Sequence, residues 1–133
     1  MIDGHRALLL AALSGLLVFQ SGCAYFNTFY LARKYYGEAE RSREKTESDK
    51  LPPDAIKKYE DSIVQCQKVL RDHGSSRWAD DAVYLMGASY YGKKEYENAI
   101  KTLDDLSTNY PESELVPDAL YMQGLCYFER RDY

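Results

Sequence analysis

The segment from Tyr59 to Tyr96 recurs, in weaker form, from Tyr96 to Tyr133. At this offset of 37 residues, ten of the 38 aligned positions are identical, among them Ser76/Ser113, Asp81/Asp118, Tyr84/Tyr121 and Gly87/Gly124. A fixed period of this size restricts a chain to solenoids, in which each unit buries its apolar face only by stacking on its neighbours. Such a molecule offers an extended surface to partners, which argues against a closed catalytic pocket.

The first 22 residues are of a different material. Ala7 to Phe19 is an uncharged apolar run preceded by His5 and Arg6. It is too short to span a bilayer comfortably and of the right length for the core of an export signal. It ends in Gln20-Ser21-Gly22-Cys23. Small residues before a cysteine resemble the bacterial lipobox, in which the cysteine is lipidated and becomes the first residue of the mature chain. Gln20 stands where that box usually has Leu, and Asp3 trims the positive charge of the start. The expected organisation is therefore a lipoprotein signal peptide over 1–22, an N-terminal helix and charged linker over 23–50, and helical repeats over 51–133.

Seventeen basic residues against 21 acidic ones leave a mildly acidic chain. Nothing in it forms the basic stripe that nucleic acid requires. Cys66 and Cys126 fall on apolar helix faces a whole repeat apart, so they are expected to be free core thiols, not a disulfide. The charged run Arg41–Lys50 reads as a solvated helix end and linker. Its acids and bases nearly cancel, which speaks against a membrane-surface role for that run.

Apolar spacing predicts helices and no strand. The first runs from Tyr25 to about Lys45, with Tyr25, Phe29, Ala32, Tyr36 and Ala39 inward and Asn27 as its cap. The second runs from Pro53 to about Asp72, with Ile56, Tyr59, Ile63, Cys66 and Leu70 inward and Gly74 as its stop. Ser75 and Ser76 are expected to cap a third helix, from about Arg77 to Tyr91. Gly92-Lys93-Lys94 turns the chain into a fourth, from Glu95 to about Asn109, with Ile100, Leu103 and Leu106 inward. Pro111 breaks it, and Pro117 opens the last, running to about Glu129.

The tetratricopeptide signature asks for W-x2-L-G-x2-Y and then Ala, Phe and Pro at fixed places. The chain has Val83, Met86, Gly87, Tyr90, Ala99, Leu103 and Pro111 at those places, and Leu120, Gln123, Gly124 and Tyr127 in the next unit. Gly87 and Ala99 are expected to be small because the two helices of one unit cross there, with Tyr90 and Leu103 filling the seam. The predicted fold is all-α, a tetratricopeptide-like solenoid of antiparallel helix pairs. Tyr59, Tyr96 and Tyr133 would then begin successive second helices. The last unit would lack its second helix, as in a truncated fragment, leaving apolar surface on Leu120, Tyr127 and Phe128.

Cys23 to Tyr30, leading into Ala32-Arg33-Lys34, resembles the mature start of bacterial tetratricopeptide-repeat lipoproteins. Asn109-Tyr110-Pro111 and Asp118 to Met122 with Gly124-Leu125 are similar to the repeats of BamD-like outer-membrane assembly lipoproteins, and also to Tol–Pal-associated periplasmic repeat proteins. The first resemblance implies a domain held by its lipid on the periplasmic face of the outer membrane. Its partners would be a barrel-assembly protein and unfolded outer-membrane proteins. Ala24, in place of the Asp that retains many lipoproteins at the inner membrane, fits that sorting. The second implies an adaptor for division or peptidoglycan complexes. An accessory domain of a longer enzyme is a further reading.

By the matched positions, the concave groove of such an array would present Asp81, Tyr84, Ala88 and Tyr91, then Asp118, Tyr121, Leu125 and Phe128. Aromatic anchors with an acidic edge suit an extended or helical peptide. The same residue types also serve helix packing and helix N-termini. The basic clamp that some members use for a C-terminal carboxylate is missing. No HExxH, CxxC or nucleophile elbow is present, and no small-molecule substrate, cofactor or metal is expected. His73 sits at a helix end, where a capping role is expected of it. Gly87 to Lys94 nearly spells a phosphate-binding loop, but Lys94 lacks the required hydroxyl and no strand precedes it. The helical repeat accounts for both of its glycines.

Overall fold

The structure, a computed structural model, describes residues 26–46 and 49–130. The expected leader, Cys23 and Tyr133 lie outside the described residues. The described residues form five helices and no strand. These are α1 over 26–44, α2 Pro53–His73, α3 Ala79–Gly92, α4 Tyr96–Asn109 and α5 Val116–Arg130.

The helices form antiparallel pairs. Ala32 near the start of α1 packs on Cys66 and Val69 near the end of α2, with Ala82 of α3 joining them. Ala39 near the end of α1 packs on Ala55 and Tyr59 near the start of α2. The next unit repeats the scheme, with Val83 of α3, Leu103 and Leu106 of α4 and Ala119 of α5 in one cluster. α3 lies at the centre, packed between α2 and α4 and touching α5. The chain is a solenoid of helix pairs in which α1, α3 and α5 are the first helices of successive units.

Several local expectations need correction. Asn27 is not a cap, since it already lies inside α1. In α2 the buried side is Ala55, Tyr59, Ser62, Ile63, Cys66 and Val69, while Ile56 and Leu70 are only half-buried. The shift arises because α2 is gripped from two sides, by α1 and by α3, which turns Ser62 and Val69 inward. α2 also begins six residues before Tyr59, so that tyrosine is not its first residue. α3 starts at Ala79, two residues later than expected, and no side chain caps it. Ser76 Oγ instead accepts the Trp78 N–H within the loop, at 3.4 Å.

Gly92 is not the turn residue either. It ends α3, and a Cβ there would come within 2.4 Å of the Tyr59 ring. The left-handed conformation of the turn falls on Lys94, with φ 62°. The expected small residues at the α3–α4 crossing are explained. A Cβ on Gly87 would meet Leu103 Cδ2 at 2.6 Å, and Ala99 is wholly buried. Both glycines of the near-miss phosphate loop thus lie inside α3 against side chains.

Polar contacts tie the units together. Lys93 Nζ bridges Glu60 of α2, at 3.2 Å, and Glu95 ahead of α4, at 2.7 Å. Ser113 Oγ, one period after Ser76, donates to Asp80 of the preceding unit at 2.6 Å. Cys66 and Cys126 are free and buried. Burial pushes the Cys66 thiol up to about 12 and the Cys126 thiol up to about 11, so both are inert at neutral pH.

Candidate binding groove

Each first helix carries one row of side chains toward the next. The rows follow from spacing: positions separated by 3, 7 and 10 share a helix face. On α3 the row is Asp81, Tyr84, Ala88 and Tyr91; on α5 it is Asp118, Tyr121, Leu125 and Phe128. α1 supplies a third row that was not anticipated from the sequence: Arg33, Tyr36, Glu40 and Arg43.

The electrostatics show which rows face each other. Burial raises the Asp81 carboxyl above its ordinary value, its neighbour Asp80 adds to the rise, and Arg33 of α1 opposes it. Burial and the Asp118 charge of α5 hold the Tyr84 phenol up. Burial and then Glu129 of α5 raise Tyr91, against the pull of Arg43 of α1. Tyr36, pushed up to about 12, is raised chiefly by burial and then by Glu40. Like charge or burial disfavours the ionised form of each of these groups, and at Asp81, Tyr91 and Tyr36 an arginine of α1 opposes the rise only in part.

The rows differ in exposure. Ala88 is buried, so of the α3 row only Asp81, Tyr84 and Tyr91 reach the surface in part. On α5, Asp118 is exposed, Tyr121 is 70 % exposed and Phe128 63 % exposed. The α1 row is braced from beneath. The Tyr59 hydroxyl donates to Glu40 Oε1, and Arg43 Nη2 holds Glu40 Oε2 at 2.6 Å. The result is a file of three tyrosines, Tyr36, Tyr84 and Tyr121. Basic residues lie along the α1 side and acidic residues along α3 and α5. Such a surface can seat aromatic or aliphatic side chains and orient a charged segment. The α1 row could have been found by sliding the Asp81/Tyr84/Tyr91 spacing along the chain. The period of 37 conceals it, because the long α2 and its linker set Asp81 at an offset of 48 from Arg33.

Among the described residues, no helix is long and apolar enough to cross a membrane. Comparison with curated proteins and with solved structures yields no match. The profile of the YfiO family, described as outer membrane lipoprotein, matches residues 54–133. That span takes in α2 to α5 and the groove rows of α3 and α5. With more than half of its length matched, this helical-repeat chain belongs to the outer membrane lipoprotein family.

Proposed function

We propose that the chain is a non-catalytic scaffold, lipid-anchored through Cys23 to the periplasmic face of the outer membrane. In this reading the groove of Tyr36, Tyr84 and Tyr121 receives segments of other envelope proteins, unfolded outer-membrane proteins among them, during their assembly. The match of 54–133 to outer membrane lipoproteins carries the reading. The exposed aromatics of α5 support it, because large rigid rings gain contact area at small entropic cost.

A photo-crosslinking amino acid in place of Tyr121 tests the partner. Capture of a barrel-assembly subunit is the expected result. Recovery of peptidoglycan-linked proteins with no such subunit would overturn the assembly role in favour of a division or peptidoglycan adaptor. The anchor has its own test, metabolic labelling with a fatty-acid probe. Cys23→Ser should abolish the label, and a variant that still labels refutes lipidation at that residue.

A further inference from the structure

The face of α1 turned away from the core mixes large exposed rings with charged side chains. Phe26 is 74 % exposed and Tyr30 56 % exposed, one turn apart on one stripe. Both line an open recess of about 570 Å³ together with Arg33, Lys34, Glu38 and Arg41. Three cations against one carboxylate give this stripe a positive balance in a chain whose net charge is −4. Glu38 is moreover engaged by Lys58 of α2, at 2.7 Å.

A second aromatic–cation pair lies at the same end of the molecule. α1 and α2 are antiparallel, so the first turn of α1 is level with the end of α2 and the loop that follows. Phe29 packs against the cluster of Val69, Leu70 and Ala82 that flanks this loop. The loop carries Trp78, 40 % exposed, with the Arg77 guanidinium 4.4 Å from its ring centroid. Exposed Phe, Tyr and Trp interleaved with Lys and Arg are the composition of a membrane–water interface, where rings sit at headgroup level and cations meet phosphates.

Phe26 follows Cys23 by three residues, which span at most about 11 Å of chain. A lipid on Cys23 would hold this end, and no other, close to the bilayer. We infer that Phe26, Tyr30 and Trp78, with Lys34 and Arg77, form a docking face for an anionic phospholipid surface. This face sets how the solenoid stands on the membrane and leaves the groove open to partners. The inference rests on the anchor reading above. The acidic loop residues Glu112 and Glu114 lie at the same end but beyond α3. They would be repelled, so the face favours contact through the α1 edge.

Trp78 is the sole tryptophan and reports directly. The full chain, processed in a host that lipidates bacterial lipoproteins, is reconstituted on phosphatidylcholine vesicles with or without phosphatidylglycerol. Brominated lipids serve as quenchers. The expected result is a blue shift and quenching of Trp78, stronger with phosphatidylglycerol. The shift and quenching should be lost in Phe26→Ser/Tyr30→Ser, and the phosphatidylglycerol preference lost in Lys34→Glu/Arg77→Glu. All four side chains lie outside the core, and an unchanged thermal melt checks that these variants fold. A chain that floats with the vesicles while Trp78 stays unquenched overturns the inference and leaves the anchor standing. Quenching of a chain that mass spectrometry finds unlipidated supports the docking face and overturns the anchor at Cys23. A chain that stays off the vesicles altogether overturns both.

Discussion

Two glycines, Gly92 and Gly124, show how one residue type carries different constraints. A Cβ on Gly92 would press on the Tyr59 ring, whose hydroxyl is held by Glu40 and cannot swing away. Gly92→Ala should therefore cost about 1–3 kcal/mol in urea unfolding. Gly124 has nothing within 4 Å of where its Cβ would lie. Gly124→Ala should be neutral or stabilise by up to about 1 kcal/mol, through helix propensity alone. A loss at Gly124 equal to that at Gly92 would show that the exposed face of α5 is covered in solution. Titration offers a second check. Cys66 rises from 9.0 to about 12, so the folded chain keeps a proton that the unfolded chain gives up. Its contribution is whole below pH 9.0 and falls as pH climbs toward about 12, so the unfolding midpoint should drop across that window. Cys66→Ala, whatever it costs at neutral pH, should flatten the slope.

At the scale of elements, the helices differ in how many neighbours hold them. α3 is held between α2 and α4, whereas α5 rests on α4 and barely touches α3. Amide hydrogen exchange should be slowest in the middle of α3 and fastest in α5. Equal protection in both would contradict the packing. Leu103 and Leu106 are wholly buried between α3 and α4. Leu106→Ala should cost about 2–5 kcal/mol. The Ser113–Asp80 bond links one loop to the preceding unit, and Ser113→Ala should cost about 1 kcal/mol and speed exchange over 110–115. Element positions were largely legible from the pattern. Carrying Ala99, Leu103 and Leu106 back by 37 residues names Ser62, Cys66 and Val69, all buried. Apolar periodicity alone found Cys66 but put Ile56 and Leu70 where Ser62 and Val69 belong, because it does not register that a serine can be core when another hydroxyl meets it. The Ser62 and Ser89 hydroxyls are 3.2 Å apart.

At the scale of the molecule, stability and recognition should separate. Tyr121 and Phe128 stand mostly clear of the core. Tyr121→Ser/Phe128→Ser should shift unfolding by no more than about 0.5 kcal/mol yet abolish the capture of partners by a photo-crosslinker placed at Tyr84 instead. A large loss of stability would mean that these rings are structural. The rows that form the candidate groove were half legible. The α3 and α5 rows follow from the signature, since a repeat fixes which positions share a face. The acidic edge of those rows was read as well; the α1 row, its basic charge and the brace of Tyr59, Glu40 and Arg43 were not. The sequence by itself determined the all-α class, the helix pairs, their order and the small residues where they cross, because those depend on spacing within one or two turns. Only the tertiary structure decided that α1 joins the array as a first helix, that Gly92 yields to Tyr59, and that the aromatics of α1 and the α2–α3 loop lie at the same end. Each depends on which side chains distant in sequence come together, and the long α2 and its linker take that information out of the 37-residue period.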